Sequence, residues 1–565
     1  MKSRFARTML AGLLTAALAG GVQAATRLGS VYIESLDVLQ RQCALGAKLY
    51  EAPALDSLPK LLAGRIPGGA GLDNGQPVAL HLVDTGAGAP GIVLELAAAT
   101  TPEAYLKGLV GDGVPLPAAV DGLYQLADGT SAQIAGKRLF LAPGMSPGAG
   151  GLIKSVVDAK PAMPAMPGAL RITLVPSALL PMLDELDRSL DKLPATMPDA
   201  DAHRATMRAM LDFYKRILGQ MDALHLGVAF QNEGLFIRSQ LVPRAGTEMA
   251  AMIASMQPVQ DAQLAFLDKD ALLACASGRV VVPDLLKQGF IKLYTDMLAL
   301  SPVAKGMPAG ESAALMTQSM RKVGLPTALA FGLSPDGRAL RVQGMMQMTN
   351  AAAYLDEYFA LLRKPEIRKL SAMAFTEPVA RMHQGTRILT CRGALDEKAL
   401  ETMLQGAAPG AAPGQLDASL RTAMGFLRPV MQLFSNDLAY AATPGALAFG
   451  MGPPATIEQA IARLQGTATP EVARIRGVLA PSAAPCSIGR LSLAGIMRGI
   501  LTNLPPGEDQ GDLLAVAAAA AQEGEGIVFA GWRANQELRS ALLVPPSEVK
   551  ALKAQLPVLI MRGRR

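Results

Sequence analysis

Residues 226–242 read "LGVAFQNEGLFIRSQLV": an apolar stretch, the polar break "NEG", then a stretch in which apolar and polar side chains alternate. Alternation with period two marks a half-buried strand, and a polar break carrying Gly marks a hairpin turn. The pattern returns without a gap at "LAFGLSPDGRALRVQGM" (329–345) and at "IVFAGWRANQELRSALL" (527–543). Gly234, Gly337 and Asn535 stand where these turns call for positive φ. Behind each hairpin, apolar residues fall at helical spacing in "GTEMAAMIASM", "NAAAYLDEYFALL" and "PPSEVKALKAQL".

The similarity extends upstream. "CASGRVVVPDLL" (275–286) matches "CSIGRLSLAGIM" (486–497) in Cys, Gly-Arg and the apolar residues that follow, and "LRITLVPSALLPML" (170–183) has the same strand-then-helix form. Helical segments such as "HRATMRAMLDFYKRILGQM" (203–221) separate leading strand from hairpin. The repeating unit is strand, helices, hairpin, helix. A diverged first copy covers about 30–110, and shorter hairpin-plus-helix modules lie around 122–158, 379–405 and 438–465. The expected fold class is α+β, with antiparallel sheets covered on one face by helices. A duplication would give two lobes, 25–260 and 263–565. Pro- and Gly-rich stretches at 161–168, 301–312 and 405–415 read as loops.

The N-terminus breaks this pattern. Lys2, Arg4 and Arg7 precede an apolar run from Met9 to Leu18, and Val22-Gln23-Ala24 gives a small-x-small cleavage site. That is a secretory signal peptide over 1–24, with an apolar run too short to span a bilayer. No Cys follows the cleavage site, so a lipid anchor is not expected, and the mature chain is placed in the periplasm or outside the cell. Removing the signal's three basic residues takes the formal net charge from +6 to +3, so nucleic acid is not an implied partner. The longest later apolar run, "LLAVAAAAA" (513–521), is no membrane span. In an exported chain, Cys43, Cys275, Cys391 and Cys486 could form two disulfides with three alternative pairings, and their wide spacing excludes a CxxC motif.

Candidate chemistry is sparse. Arg238, Arg341 and Arg539 share one repeat position, either as anion ligands along a groove or as a solvated sheet face. "ALHL" occurs at 79–82 and 223–226, so His81 and His225 match; they would form a metal or acid–base pair only if the fold made them converge. Otherwise they are partly exposed strand residues. Three methionines in "RVQGMMQM" suggest a soft copper(I) site, but alternation puts Met345 on the face opposite Met346 and Met348, which favours apolar filling. No GxSxG, HExxH, P-loop or dinucleotide fingerprint occurs, and the two SxxK matches, 57–60 and 189–192, lack a KTG-type partner. No cofactor or metal is implied. The sequence therefore suggests an exported, non-catalytic envelope protein that binds a partner protein or an apolar or amphiphilic ligand. The alternative is a periplasmic hydrolase with a scattered site between the lobes.

Overall fold

The computed structural model describes residues 26–563. Excepted are residues 65, 112, 162, 315 and 319 and segments 68–70, 86–89, 145–147, 192–199, 300–313, 335–338, 365–372, 396–436 and 504–523. The signal peptide, the turn residue Gly337 and the stretches 301–312, 405–415 and 513–521 lie outside the described residues. The chain forms two compact units, one drawn from residues up to 250 with 536–539, the other from 251–535 with 540–565.

In the first unit the strands are β1 (Thr26–Ile33), β2 (Val78–Asp84), β3 (Gly91–Ala97), β4 (Leu123–Gln125), β5 (Ser131–Ala135), β6 (Arg138–Ala142), β7 (Leu170–Leu174), β8 (Met221–Gln231) and β9 (Gly234–Pro243). They pair antiparallel in the order β4-β5-β6-β3-β2-β1-β7-β8-β9. Helix α1 (Leu36–Tyr50) begins at Ser35, whose hydroxyl accepts the Val38 amide at 3.1 Å, satisfying one of the free donors of the first turn. Helix α2 spans Ala54–Ala63 and α3 spans Pro102–Val110. Tyr105 and Leu106 of α3 and Leu36 of α1 pack on Val78, Leu96, Leu139 and Leu141, all on one sheet face. The alternate residues Val83, Val93, Phe140 and Ala142 bury against Leu152, Ile153 and Val156 of α4 (Ala149–Ala159). Helices thus cover both faces of this sheet, not one. The reason is visible in β2, β3 and β6, whose apolar residues occupy consecutive positions and leave no fully polar side.

Helices α5 (Leu180–Leu190) and α6 (Ala200–Leu218) follow β7, and α7 (Glu248–Ser255) follows the β8–β9 hairpin. Gly234 at that hairpin has φ +137°, and Asn535 in the third hairpin has φ +50°.

The second unit contains β10 (Leu273–Ser277), β11 (Thr327–Leu333), β12 (Leu340–Gln347), β13 (Met373–Phe375), β14 (Val379–His383), β15 (Thr386–Leu395), β16 (Asp437–Thr443), β17 (Ala446–Met451), β18 (Ser487–Leu491), β19 (Ile527–Ala534) and, from residue 540 on, β20 (Glu537–Val544). Their order is β14-β15-β16-β17-β12-β11-β10-β18-β19-β20, and β13 pairs separately with β15. The helices are α8 (Asp261–Leu264), α9 (Asp284–Ala299), α10 (Ala351–Leu362), α11 (Pro454–Arg463), α12 (Pro470–Leu479), α13 (Leu493–Asn503) and α14 (Pro546–Gly563). Leu355 and Phe359 of α10 pack with Leu389, Cys391 and Leu447, and Met348 joins this cluster. Glu548 of α14 is fully buried and accepts the amides of Ala494 and Gly526 at 2.8 and 2.9 Å, which caps the start of α13.

Cys43, Cys275, Cys391 and Cys486, which the sequence allows to form two disulfides, are free thiols in the structure. Geometry explains one of the pairings. The two most similar cysteine segments form neighbouring strands, yet Cys275 faces Gly489 while the Cys486 carbonyl accepts the Gly278 amide. The two cysteines are therefore offset by three residues, about 10 Å along the strand, beyond disulfide reach.

Candidate functional site

The first unit brings the two sequence-matched histidines onto one sheet face without making them meet. Cross-strand register sets His81 opposite Ser30, Ser30 opposite Thr173, Thr173 opposite His225, and His225 opposite Gln240. The result is a polar row across five adjacent strands. Three strand spacings separate His81 from His225, about 14 Å, too far for one ion or one proton transfer. Among the described residues no group of His, Cys, Asp and Glu could hold a metal ion.

Each histidine instead has local partners. Ser30 Oγ lies 2.7 Å from His81 Nδ1, and His81 Nε2 lies 3.1 Å from Glu95. Arg138 Nε approaches the other Glu95 oxygen at 3.3 Å. A carboxylate only accepts, so Nε2–H donates to Glu95, and in the neutral ring Nδ1 accepts from the Ser30 hydroxyl. The residue types and polarity are those of a serine-nucleophile relay. The enclosure is not: His81 is 0% and Ser30 1% exposed, with the Tyr32 ring edge-on to the imidazole at 5.9 Å. A nucleophile needs a reacting atom within about 3 Å, and no such space opens at Ser30. His81 is thus a sealed interior residue, not the partly exposed strand residue expected. His225 pairs with Thr173 Oγ1 at 3.0 Å, and burial lowers its pKa.

The matched arginines each have their own surroundings. Arg238 faces Gly227 and lies 4.9 Å from the Phe236 ring centroid, and burial lowers its pKa. Arg341 faces Gly332 and is half-buried. Arg539 pairs with Glu537 at 3.0 Å. None of these arginines or histidines lines any of the three clefts in the second unit. The methionines of 345–348 serve the interior: Met345 is buried and Met348 packs beside Phe359 and Leu447.

Two of the three clefts carry carboxylates among their lining residues, and arginines at both are held by protein acceptors. In one, about 420 Å³, Arg474 is held by Glu471 at 2.6 Å while Arg490 donates to the Ala271 and Glu525 carbonyls. In another, about 310 Å³, Arg381 pairs with Glu458 at 2.7 Å.

The third, about 540 Å³, differs. Its wall carries Arg279, Arg321 and Lys322 but no carboxylate, alongside Leu325, Met348 and Tyr354. Arg321 pairs with Glu357 at 3.1 Å. No ion pair to Arg279 or Lys322 occurs among the described residues. Lys322 Nζ sits 4.8 Å from the Tyr354 ring and 5.0 Å from the Tyr358 ring, which stack four residues apart on α10. Aromatic faces attract an ammonium, yet burial dominates and lowers the Lys322 pKa. Tyr354 has a buried hydroxyl without a hydrogen-bonding partner, and burial raises its pKa to about 12. This is the candidate site: a cleft with unneutralised positive charge at one wall and apolar or aromatic surface at another.

Sequence reasoning missed it, for a physical reason. Arg279 follows β10, Lys322 sits in the turn before β11, and Tyr354 lies on α10. Nothing in the spacing of these residues links them. Compared with known proteins, the chain matches no protein family, no curated protein and no solved structure.

Proposed function

We propose that the protein is an exported, non-catalytic binding protein of the cell envelope whose ligand is an amphiphilic anion held in the cleft of the second unit. One observation carries the reading: the largest of the three clefts presents three cationic side chains and no carboxylate, next to aliphatic and aromatic wall. Its size falls in the usual range for small-molecule sites. An acidic headgroup would complete the charge left open at Arg279 and Lys322, and an acyl or aryl body would cover Met348 and Leu325. The N-terminal signal pattern supports export to the periplasm or the exterior. The two units share a strand order, with a leading strand, its hairpin and an added module on one side and a second leading strand with its hairpin on the other. That correspondence supports an origin by duplication.

The hydrolase reading has only the Ser30–His81–Glu95 relay to draw on, and that relay is sealed.

The test is calorimetric titration of the mature chain with dodecanoate, dodecanol and dodecyltrimethylammonium, all kept below micelle formation. Dodecanoate is expected to bind and to weaken with added salt. Arg279→Ala should lower its affinity by roughly 10- to 150-fold, since a hydrogen bond to a charged group contributes roughly 1.5–3 kcal/mol. Equal binding of all three amphiphiles, or none of dodecanoate, refutes the proposal.

A further inference from the structure

We infer that Lys322 is a carbonyl-capturing amine, which condenses reversibly with aldehydes that enter the 540 Å³ cleft. Three observations converge on its side chain. It lines an open cleft, so a small solute can reach it. Its ammonium is flanked by the Tyr354 and Tyr358 rings and not by a carboxylate, among the described residues. The other charges on the wall, Arg279 and Arg321, have its own sign. A partly desolvated setting favours the neutral amine, in agreement with the downward direction of its pKa, whose cause is burial.

The chemistry balances without a redox partner. The neutral Nζ lone pair attacks the aldehyde carbon, forming a C–N bond and a carbinolamine. That intermediate loses its oxygen as water, which carries away both amine hydrogens and leaves a C=N bond. Hydrolysis reverses the process. The aromatic faces fit an imine twice over: they stack on a planar C=N unit and stabilise its protonated, cationic form.

This inference deepens the binding proposal and rests on the same cleft being open to solutes, although not on the charge of the ligand. The test uses the full mature chain, pentanal and sodium cyanoborohydride at neutral pH, with peptide mass mapping of reduced adducts. Lys154, exposed on α4, is the internal reference. Lys322 should acquire the pentyl group at least tenfold faster than Lys154 in the folded chain, and the two should react alike in urea. Tyr358→Leu should slow labelling at Lys322 and leave Lys154 unchanged. Labelling of Lys322 no faster than of Lys154, or the same ratio in folded and unfolded chain, overturns the inference. Labelling at Lys322 without dodecanoate binding sinks the anion proposal alone, and dodecanoate binding without preferential labelling sinks this one alone.

Discussion

Replacing Ser30 by Ala takes one hydroxyl out of the interior of the first unit and leaves His81 Nδ1 as a buried acceptor facing a methyl group. The lost contact is the 2.7 Å bond between Ser30 Oγ and His81. Alanine is smaller and opens no clash, so the dominant cost is the unsatisfied nitrogen, about 1–3 kcal/mol. In hydrogen exchange that cost becomes about 5- to 150-fold faster exchange of amides in β1 and β2, the two strands the bond joins. The measurement is exchange mass spectrometry on peptides covering 26–33 and 78–84, with peptides from the second unit as internal control. Glu95→Gln, which keeps an acceptor for His81 but removes the charge opposite Arg138, should accelerate the same amides less. The opposite outcome would be informative. If Ser30→Ala left exchange in β1 and β2 unchanged but abolished an esterase activity present in the parent chain, the relay would be catalytic. The argument from enclosure would then be wrong.

Two further outcomes follow from buried titratable groups. Burial holds His225 below its ordinary value of 6.5, so the unfolded chain binds more protons as the pH drops through that region. The stability gained from the neutral ring is complete above about pH 6.5 and is lost as the pH falls toward the folded value. His225→Asn should flatten the fall in melting temperature between pH 7 and about pH 5, and identical pH profiles for parent and variant would show that the ring does not contribute. Burial also raises all four thiol pKa values, that of Cys391 to about 11. The folded chain, prepared without reductant, should therefore react slowly with a thiol reagent at pH 8. In urea it should give four thiols per chain, and a lower count would mean that disulfides form.

The strand pairs predicted at 226–242, 329–345 and 527–543 correspond to β8–β9, β11–β12 and β19–β20, and each pair runs into a helix. These elements were readable because period-two alternation, a turn residue tolerant of positive φ and a following period of 3.6 are all local properties of the chain. The matching of His81 and His225 was also readable, and the register does place both on one polar row. The complete burial of His81 was not, because alternation assigns a residue to a face without saying what covers that face, whereas His225 is partly exposed as expected. The same gap explains the expectation of one-sided sheets. It explains the cysteines too: similar sequence placed Cys275 in β10 and Cys486 just before the paired strand β18, but the stagger that keeps them apart is a matter of register between segments far apart in sequence.

The sequence by itself therefore determined the elements, their α+β class and the residue types available for chemistry, since propensity and periodicity act over a few residues. Only the tertiary structure decided which of those residues are sealed and which face a cleft. Enclosure of Ser30 and His81, and the gathering of Arg279, Lys322 and Tyr354 on one wall, depend on long-range packing. That packing is a cooperative outcome of the whole core, and no short stretch of the chain encodes it.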